Sequence, residues 1–328
     1  MKTVAIIGAG QIGYAASYEF GFHEWDVTIH ARSKPDWELG QYKRYIAGED
    51  PVPRADVVLD TIAFDGNDVE RYDPDTVGRL IVISSASVYC DAQGRTLDEA
   101  ATNGFPQSDG PLTESQTIVG PGPETYSTRK VRMENKAQAL FGDRATVLRP
   151  GAIYGRHTRH PREWWFVKRI LDGRSKIPLV FSGESRFHTT AADDIANFAE
   201  EASSHDWGGI YNIADDEAFS VYQIGQEIAA IMNRKVAFEL VDGPPIGTVG
   251  RTPWSVPAPF MISNAKAKAL DDGLGETVGV GVGNFAHSIE WLADLNPTDW
   301  RTAFPQLAAY PWDLFDYEAE DRFFDEGA

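Results

Sequence analysis

Two short motifs in this 328-residue chain carry residue types that could do chemistry. One is Gly8, Gly10 and Gly13 in IIGAGQIG, a G-x-G-x-x-G directly behind the apolar run at 4–7. There the first glycine permits a tight turn and the second lets backbone approach a pyrophosphate. The third lets a helix pack closely on a sheet. Helix N–H groups opened by such a turn face the phosphates, and the helix dipole favours their charge. The other motif is Tyr126 and Lys130 in GPETYSTRKVRMEN, four apart and therefore on one face of a helix. Composition alone supplies about 0.4 such pairs, so the weight of this one rests on its surroundings. A run ending in serines, VISSASVYC, precedes it, and VLRPGAIYG follows it.

The elements that must position these motifs read as strand and helix in alternation. Short apolar runs at 4–7, 27–29, 55–59, 80–83 and 145–148 predict strands buried on both faces, and 11–20 predicts a helix. The expected fold is α/β, a Rossmann-type doubly wound parallel sheet with a smaller C-terminal substrate lobe. Beyond Pro150 the texture changes. Residues 156–187 are rich in Arg, Trp and Pro without clean periodicity; 193–202 and 221–232 predict helices, and 209–213 predicts a strand. The Gly- and Pro-rich stretch 242–260 predicts an irregular loop, and the glycine-spaced valines at 278–283 a turn or loop. The aromatic, acidic tail from Tyr310 predicts a packed surface extension. The expected division is a dinucleotide-binding domain of 1–155 and 188–232, and a substrate lobe of 156–187 and 233–328.

Forty-nine acids against 30 bases give a net charge of −19, a poor match for nucleic acid or an anionic membrane surface. No run of 18 apolar residues predicts a membrane span. The single cysteine, Cys90, permits no intrachain disulfide and no cysteine-based zinc site. The apolar start is too short for the core of a signal peptide, so a reducing cytoplasm is expected. His157 and His160 have H-x-x-H spacing without a third ligand, and no metal site is expected.

Cofactor choice turns on the end of the second strand, where an NAD site places an acid against the ribose. In DVTIHARSK that position falls at Ala31, followed by Arg32, Ser33 and Lys34. An arginine beside a missing carboxylate suits a 2′-phosphate. NADP(H) is therefore the expected preference, with NAD(H) the alternative.

Taken in order, IIGAGQIG, ADVVLDTIAFD, VISSASVY, YSTRK, VLRPGAIYG, TAADDIA and GIYNIAD resemble the extended or atypical short-chain dehydrogenase/reductase family, the NAD(P)-dependent epimerase/dehydratase group. The resemblance spans about residues 1–232. It implies Tyr126 as catalytic acid/base, Lys130 as its partner, and Ser85 in the place of the catalytic serine or threonine. It further implies a dinucleotide held by Gly8, Gly10, Gln11, Ile12, Gly13, Ala31, Arg32, Ser33, Ala63, Lys130, Pro150 and Ile153. Those types suit the task. A phenol with a reference pKa near ~10 exchanges protons poorly at neutral pH until a neighbouring cation stabilises tyrosinate.

Two departures from the family pattern narrow the reaction. Extended members usually read G-x-x-G-x-x-G, and Ile7 stands where their first glycine falls. Sugar-nucleotide 4,6-dehydratases carry Asp-Glu directly after the catalytic threonine; Ala86 and Ser87 follow Ser85 here, which disfavours dehydration. What remains is hydride transfer at a secondary alcohol or ketone, including epimerisation through a transient ketone. A sugar or nucleotide sugar is one substrate class the resemblance allows. Tyr89, Arg156, His157 and Arg186 are the substrate-contact candidates, and a homodimer is compatible with the family. Two other classes stay open on this fold: a non-catalytic NADP-binding sensor, and an RNA-associated member. The intact Ser85, Tyr126 and Lys130 oppose the first, and the net charge opposes the second.

Overall fold

The computed structural model describes residues 1–39, 43–48, 54–271 and 285–326. Its strands, in chain order, are β1 (Thr3–Ile7), β2 (Asp26–Ala31), β3 (Lys43–Ala47), β4 (Ala55–Asp60), β5 (Val77–Ile83) and β6 (Ala145–Pro150). There follow β7 (Ala152–Tyr154), β8 (Lys176–Leu179), β9 (Thr189–Ala191), β10 (Gly209–Ile213) and β11 (Ala237–Leu240). The helices begin with α1 (Gln11–Phe22), α2 (Gly66–Val69), α3 (Ala100–Asn103), α4 (Tyr126–Phe141), α5 (Trp164–Leu171), α6 (Ala192–Ser204) and α7 (Val221–Ile231). They end with α8 (Ala265–Asp271), α9 (Phe285–Leu295), α10 (Trp300–Ala303), α11 (Pro305–Ala308) and α12 (Tyr317–Glu326).

Two compact units share the chain. The first comprises Met1–Ile153, Thr190–Asp216 and Ile262–Gly283. Its sheet has seven parallel strands in the order β10-β6-β5-β4-β1-β2-β3. Strand alternation explains why both faces are covered. Val4 and Ile6 of β1 face a core shared with Ile12, Ala16 and Phe20 of α1 and with Ile195 and Phe198 of α6. Ala5 and Ile7 face the other way, toward Val69 of α2 and Met133 and Ala137 of α4. Burying each such Val, Leu or Ile contributes about 1.5–3 kcal/mol. The strand order reverses between β1 and β4, and a doubly wound sheet opens its ligand crevice at such a point. The seven-strand, Rossmann-type architecture is the fold class expected from the alternating runs.

The second unit comprises Tyr154–Thr189, Glu217–Met261 and Asn284–Ala328. In it β8 and β11 pair in parallel, and Phe166 packs against Phe238 and Trp254. Gly225 of α7 makes that possible: a Cβ there would lie 2.8 Å from the Phe166 ring and 2.9 Å from Phe238. The tail is packed into the same unit. Buried Arg169 donates to the carbonyls of Trp165 and Leu314 and to Glu320 of α12.

The sequence boundary differs from these units in two places. Helix α7 belongs to the second unit because it packs on α5 and α9, and Ile262–Gly283 belongs to the first. In that returning stretch Asn264 donates to the carbonyl of Ala214, and Lys268 pairs with Asp216. Residues 156–187, which lack periodicity, nonetheless form α5, whose Trp164, Trp165, Phe166 and Val167 are all buried. Its eight residues span about two turns, too few for a period to stand out, and Lys168 and Leu171 are the two that reach solvent. The valines at 278–283 lie outside the described residues. Among the described residues no helix is long and apolar enough to cross a membrane.

Candidate functional site

The glycine turn forms at the strand-order reversal. Gly8 follows β1 with φ +107°, and a Cβ on it would sit 2.3 Å from Thr61 Oγ1. Thr61, the first residue past β4, donates its N–H and its hydroxyl to the Ile7 carbonyl at 3.0 and 2.8 Å. The turns after β1 and β4 are thus tied together. A Cβ on Gly13 would lie 2.1 Å from the Gly8 carbonyl oxygen, so α1 can close onto the turn only with glycine there. Gly10 caps α1 and behaves oppositely: nothing lies within 4 Å of its Cβ direction. Half-buried Gln11 and buried Ile12 follow, and the first turn holds no acid. Open backbone, unopposed helix N–H groups and no competing carboxylate fit a dinucleotide pyrophosphate.

At the end of β2, Ala31 is half-buried and Arg32 and Ser33 are exposed. Residues 30–34 contain no carboxylate. Pro150 ends β6, buried and in register with Ile213, and Ile153 is half-buried three residues on.

Ser85, Tyr126 and Lys130 come together at the ends of β5 and α4. Helix α4 begins at Tyr126 because Thr125 and Thr128 form a reciprocal capping box, with bonds of 3.2 and 2.9 Å. Asp98 adds to the start of the helix by accepting the Ser127 N–H at 2.8 Å. The Ser127 hydroxyl donates to the Ser87 carbonyl at 2.8 Å, which ties α4 to the 3-10 turn Ala86–Val88. Ser85 caps that turn, accepting the Ser87 N–H at 3.1 Å, and its side chain lies close enough to the Tyr126 phenol to lower its pKa. Desolvation pushes the Tyr126 pKa up; the Ser85 side chain pulls it down and the Asp98 charge adds to the rise. The Tyr126 side of this cluster stays open, with 40% of the residue exposed.

Lys130 is buried. Its Nζ donates to the Ala63 carbonyl at 2.6 Å and the Ile83 carbonyl at 2.8 Å, and lies 5.6 Å from the Tyr126 ring centroid. Burial draws its pKa down to about 8, against the opposing charges of Asp60, Glu134 and Asp68. Ala63, expected as a cofactor contact, thus uses its carbonyl to hold Lys130.

Two groups in this site escaped sequence reasoning. Asp60, at the end of β4, is fully buried. Its Oδ1 accepts the N–H groups of Ile62 and Ala63 at 2.9 and 2.8 Å, and its Oδ2 accepts Tyr72 Oη at 2.5 Å and Arg71 at 3.1 Å. It therefore shapes the loop whose Ala63 carbonyl holds Lys130. An acid closing the apolar run ADVVLD was the available signal. The second is the buried pair Glu134–Arg149: Arg149 Nε reaches Oε1 at 2.9 Å and its Nη2 reaches Oε2 at 2.5 Å. Glu134 lies one helical turn past Lys130, a spacing open to inspection in the sequence.

Tyr89 requires a correction. It is 1% exposed, and its hydroxyl donates to Asn212 at 2.7 Å and accepts from Arg149 at 3.2 Å. Burial and these two bonds make it part of the framework and leave no surface for a substrate. The other three substrate candidates lie in the second unit. Arg156 donates to the His287 carbonyl at 3.2 Å. His157 has φ +61° and packs its ring 5.4 Å from Trp291. Arg186 donates to the Ala218 carbonyl and to Gln223, and lies 3.8 Å from Glu184. In the same unit His160 meets Tyr310 Oη at 3.2 Å, and burial holds its pKa down near 3.

Residues 68–214 match the sequence model of the NAD dependent epimerase/dehydratase family. That span contains Ser85, Tyr126 and Lys130 and ends past β10. No curated protein matches the chain. Among solved structures, a dTDP-glucose 4,6-dehydratase from Bacillus anthracis in complex with NAD aligns at 15% identity and TM-score 0.62, over 92% of this chain and 98% of its own. A UDP-N-acetylglucosamine 4-epimerase from Bacillus cereus aligns at 16% and 0.62, over 90% and 99%. A UDP-glucuronic acid 4-epimerase from Bacillus cereus, in complex with UDP-glucuronic acid and NAD, aligns at 16% and 0.61, over 89% and 99%. At these identities the likeness is one of fold.

Proposed function

Starting from a chain that carries the NAD dependent epimerase/dehydratase domain over residues 68–214, we propose that the protein is an oxidoreductase or epimerase of the short-chain dehydrogenase/reductase type. It acts at a secondary alcohol or ketone and prefers NADP(H). The observation that carries the reading is the convergence of three side chains: Ser85 beside the Tyr126 phenol, close enough to lower its pKa, and the Lys130 ammonium 5.6 Å from the Tyr126 ring.

A nicotinamide dinucleotide supplies the hydride acceptor or donor when bound. Gly8, Gly10 and Gly13 leave the backbone opening its pyrophosphate needs, and the strand-end sequence HARSK, which puts Ala31 where an NAD site places an acid and Arg32 next to it, suits a 2′-phosphate better than a 2′-hydroxyl. Tyr126 Oη takes the proton of an alcohol or returns one to a ketone oxygen. Ser85 Oγ holds that oxygen beside Tyr126 and stabilises the ionised phenol. Lys130, held by the carbonyls of Ala63 and Ile83, keeps a cation 5.6 Å from the Tyr126 ring, a charge that favours tyrosinate over phenol.

Ala86 and Ser87 after Ser85 supply no acid/base pair for water loss, so the reading favours redox or epimerisation over dehydration. Nucleotide sugars are the first substrates to try, given the ligands of the fold's neighbours. The test is a fluorescence titration with NADPH and NADH, followed by a carbonyl panel that includes UDP-4-keto sugars. Tighter NADPH binding with oxidation in the presence of one panel member supports the reading. Tighter NADH binding overturns the cofactor preference, and binding without oxidation across the panel favours a sensor.

A further inference from the structure

Ser85 sits on a short segment that is anchored at both ends by one buried polar network. Immediately before it, Ser84 donates its hydroxyl to Glu134 Oε1 at 2.5 Å, and its N–H to the Leu148 carbonyl at 2.7 Å. Just beyond the 3-10 turn that Ser85 caps, Tyr89 Oη accepts from Arg149 at 3.2 Å and donates to Asn212 at 2.7 Å. Glu134 and Arg149 join the two anchors through a bidentate pair whose side chains are 2% and 1% exposed. The same Glu134 rides on α4, the helix that carries Tyr126 and Lys130. The network therefore connects the Ser85 segment to the Tyr126 helix by contacts that no solvent screens.

We infer that Glu134 and Arg149 are positioning residues, which fix Ser85 beside Tyr126 by holding Ser84 and Tyr89. The inference rests on Ser85 and Tyr126 being the reacting pair. Geometry favours this role over simple support of the fold. A bidentate guanidinium–carboxylate pair is planar and directional, and among the described residues its remaining hydrogen bonds go to Ser84 and to the Tyr89 hydroxyl, the two ends of the serine segment. A hydrophobic pair of equal volume would fill the same space without setting that register. Because the pair is neutral as a whole, its loss changes the field at Tyr126 little. What changes is the placement of the Ser85 hydroxyl, whose nearness lowers the Tyr126 pKa.

The experiment needs no substrate. Protein carrying ring-labelled tyrosine is titrated by carbon NMR, alone and with NADP+, and the Tyr126 resonance is assigned by its loss in Tyr126→Phe. Ser85→Ala sets the scale, since it removes the hydroxyl outright. The double variant Glu134→Leu/Arg149→Met removes both charges together and so leaves none buried alone. It is expected to make Tyr126 about tenfold weaker as an acid, as Ser85→Ala does, with NADP+ affinity changed less than about twofold. Ser84→Ala, which keeps the ion pair, is expected to move the titration the same way and decides the matter if the double variant fails to fold. Folded variants that titrate as wild type while Ser85→Ala shifts would overturn the positioning role alone. No shift in Ser85→Ala would instead remove the reacting pair on which the role depends.

Discussion

Two buried carboxylates, one in each unit, are held in opposite ways. In the first, Glu134 has both oxygens on Arg149 and a further bond from Ser84. In the second, Glu163 is fully buried, with Oε1 accepting from Ser288 at 2.8 Å and Oε2 without a hydrogen-bond partner among the described residues. The consequence is a difference in what each can do. A buried acid met by a guanidinium sets geometry. A buried acid met by one hydroxyl is pushed toward its neutral form, and desolvation raises the Glu163 pKa to about 7. The first kind of burial builds a site, and the second makes stability depend on pH.

The largest expected effect comes from breaking the paired case on one side. Arg149→Met leaves Glu134 buried and alone, and urea unfolding is expected to show a loss of about 3–5 kcal/mol. A loss below about 1 kcal/mol would mean that the pair is hydrated in solution and cannot set geometry.

For the unpaired case the sign runs the other way. The folded pKa of Glu163 lies above its unfolded value, so its contribution is fully present below about pH 4.5 and is lost as pH rises through about 7. Glu163→Gln keeps an acceptor for Ser288 and carries no charge. It should stabilise the protein by about 3 kcal/mol at pH 8 and by little at pH 4, measured by denaturation at each pH. His160 has the opposite slope: its folded pKa near 3 lies below the unfolded value of 6.5. Its contribution is present above pH 6.5 and fades as pH falls toward 3. His160→Gln should therefore flatten the acid side of the same curve, by a smaller amount because the residue is only partly shielded. Equal pH slopes in wild type and both variants would mean that neither buried group couples stability to pH, and would erase the contrast between Glu163 and the paired Glu134.

The smallest expected effect tests how α4 presents its first residue. Thr125→Ala removes one half of the capping box and should cost about 1 kcal/mol of stability. Fraying of that turn would also loosen Tyr126, so turnover should fall while affinity for the dinucleotide holds.

The sequence was legible where a local pattern repeats the physics of the fold. Val4–Ile7 and Leu80–Ile83 are apolar at every position because both faces of the sheet are covered, and G-x-G-x-x-G marks a turn where two of the glycines have no room for a side chain. Tyr126 and Lys130 could be paired because helix spacing alone places them on one face. What stayed hidden depends on contacts between distant segments. Glu134 and Arg149 look like ordinary surface charges in sequence, and only the β6–α4 packing turns them into a buried pair. Tyr89 looked available for the same reason, since nothing nearby in sequence announces Asn212, 123 residues away. Strand β3, KRYIA, alternates weakly because it lies at the sheet edge, where half of it faces solvent.

The central claim is that Tyr126 moves the proton in a dinucleotide-dependent alcohol–ketone reaction. Its most direct test measures NADPH oxidation with a responsive carbonyl substrate, in wild type and Tyr126→Phe, alongside NADPH affinity. The account predicts turnover reduced by about 10³-fold in the variant, with the affinity for NADPH unchanged. Turnover by Tyr126→Phe at the wild-type rate would contradict it.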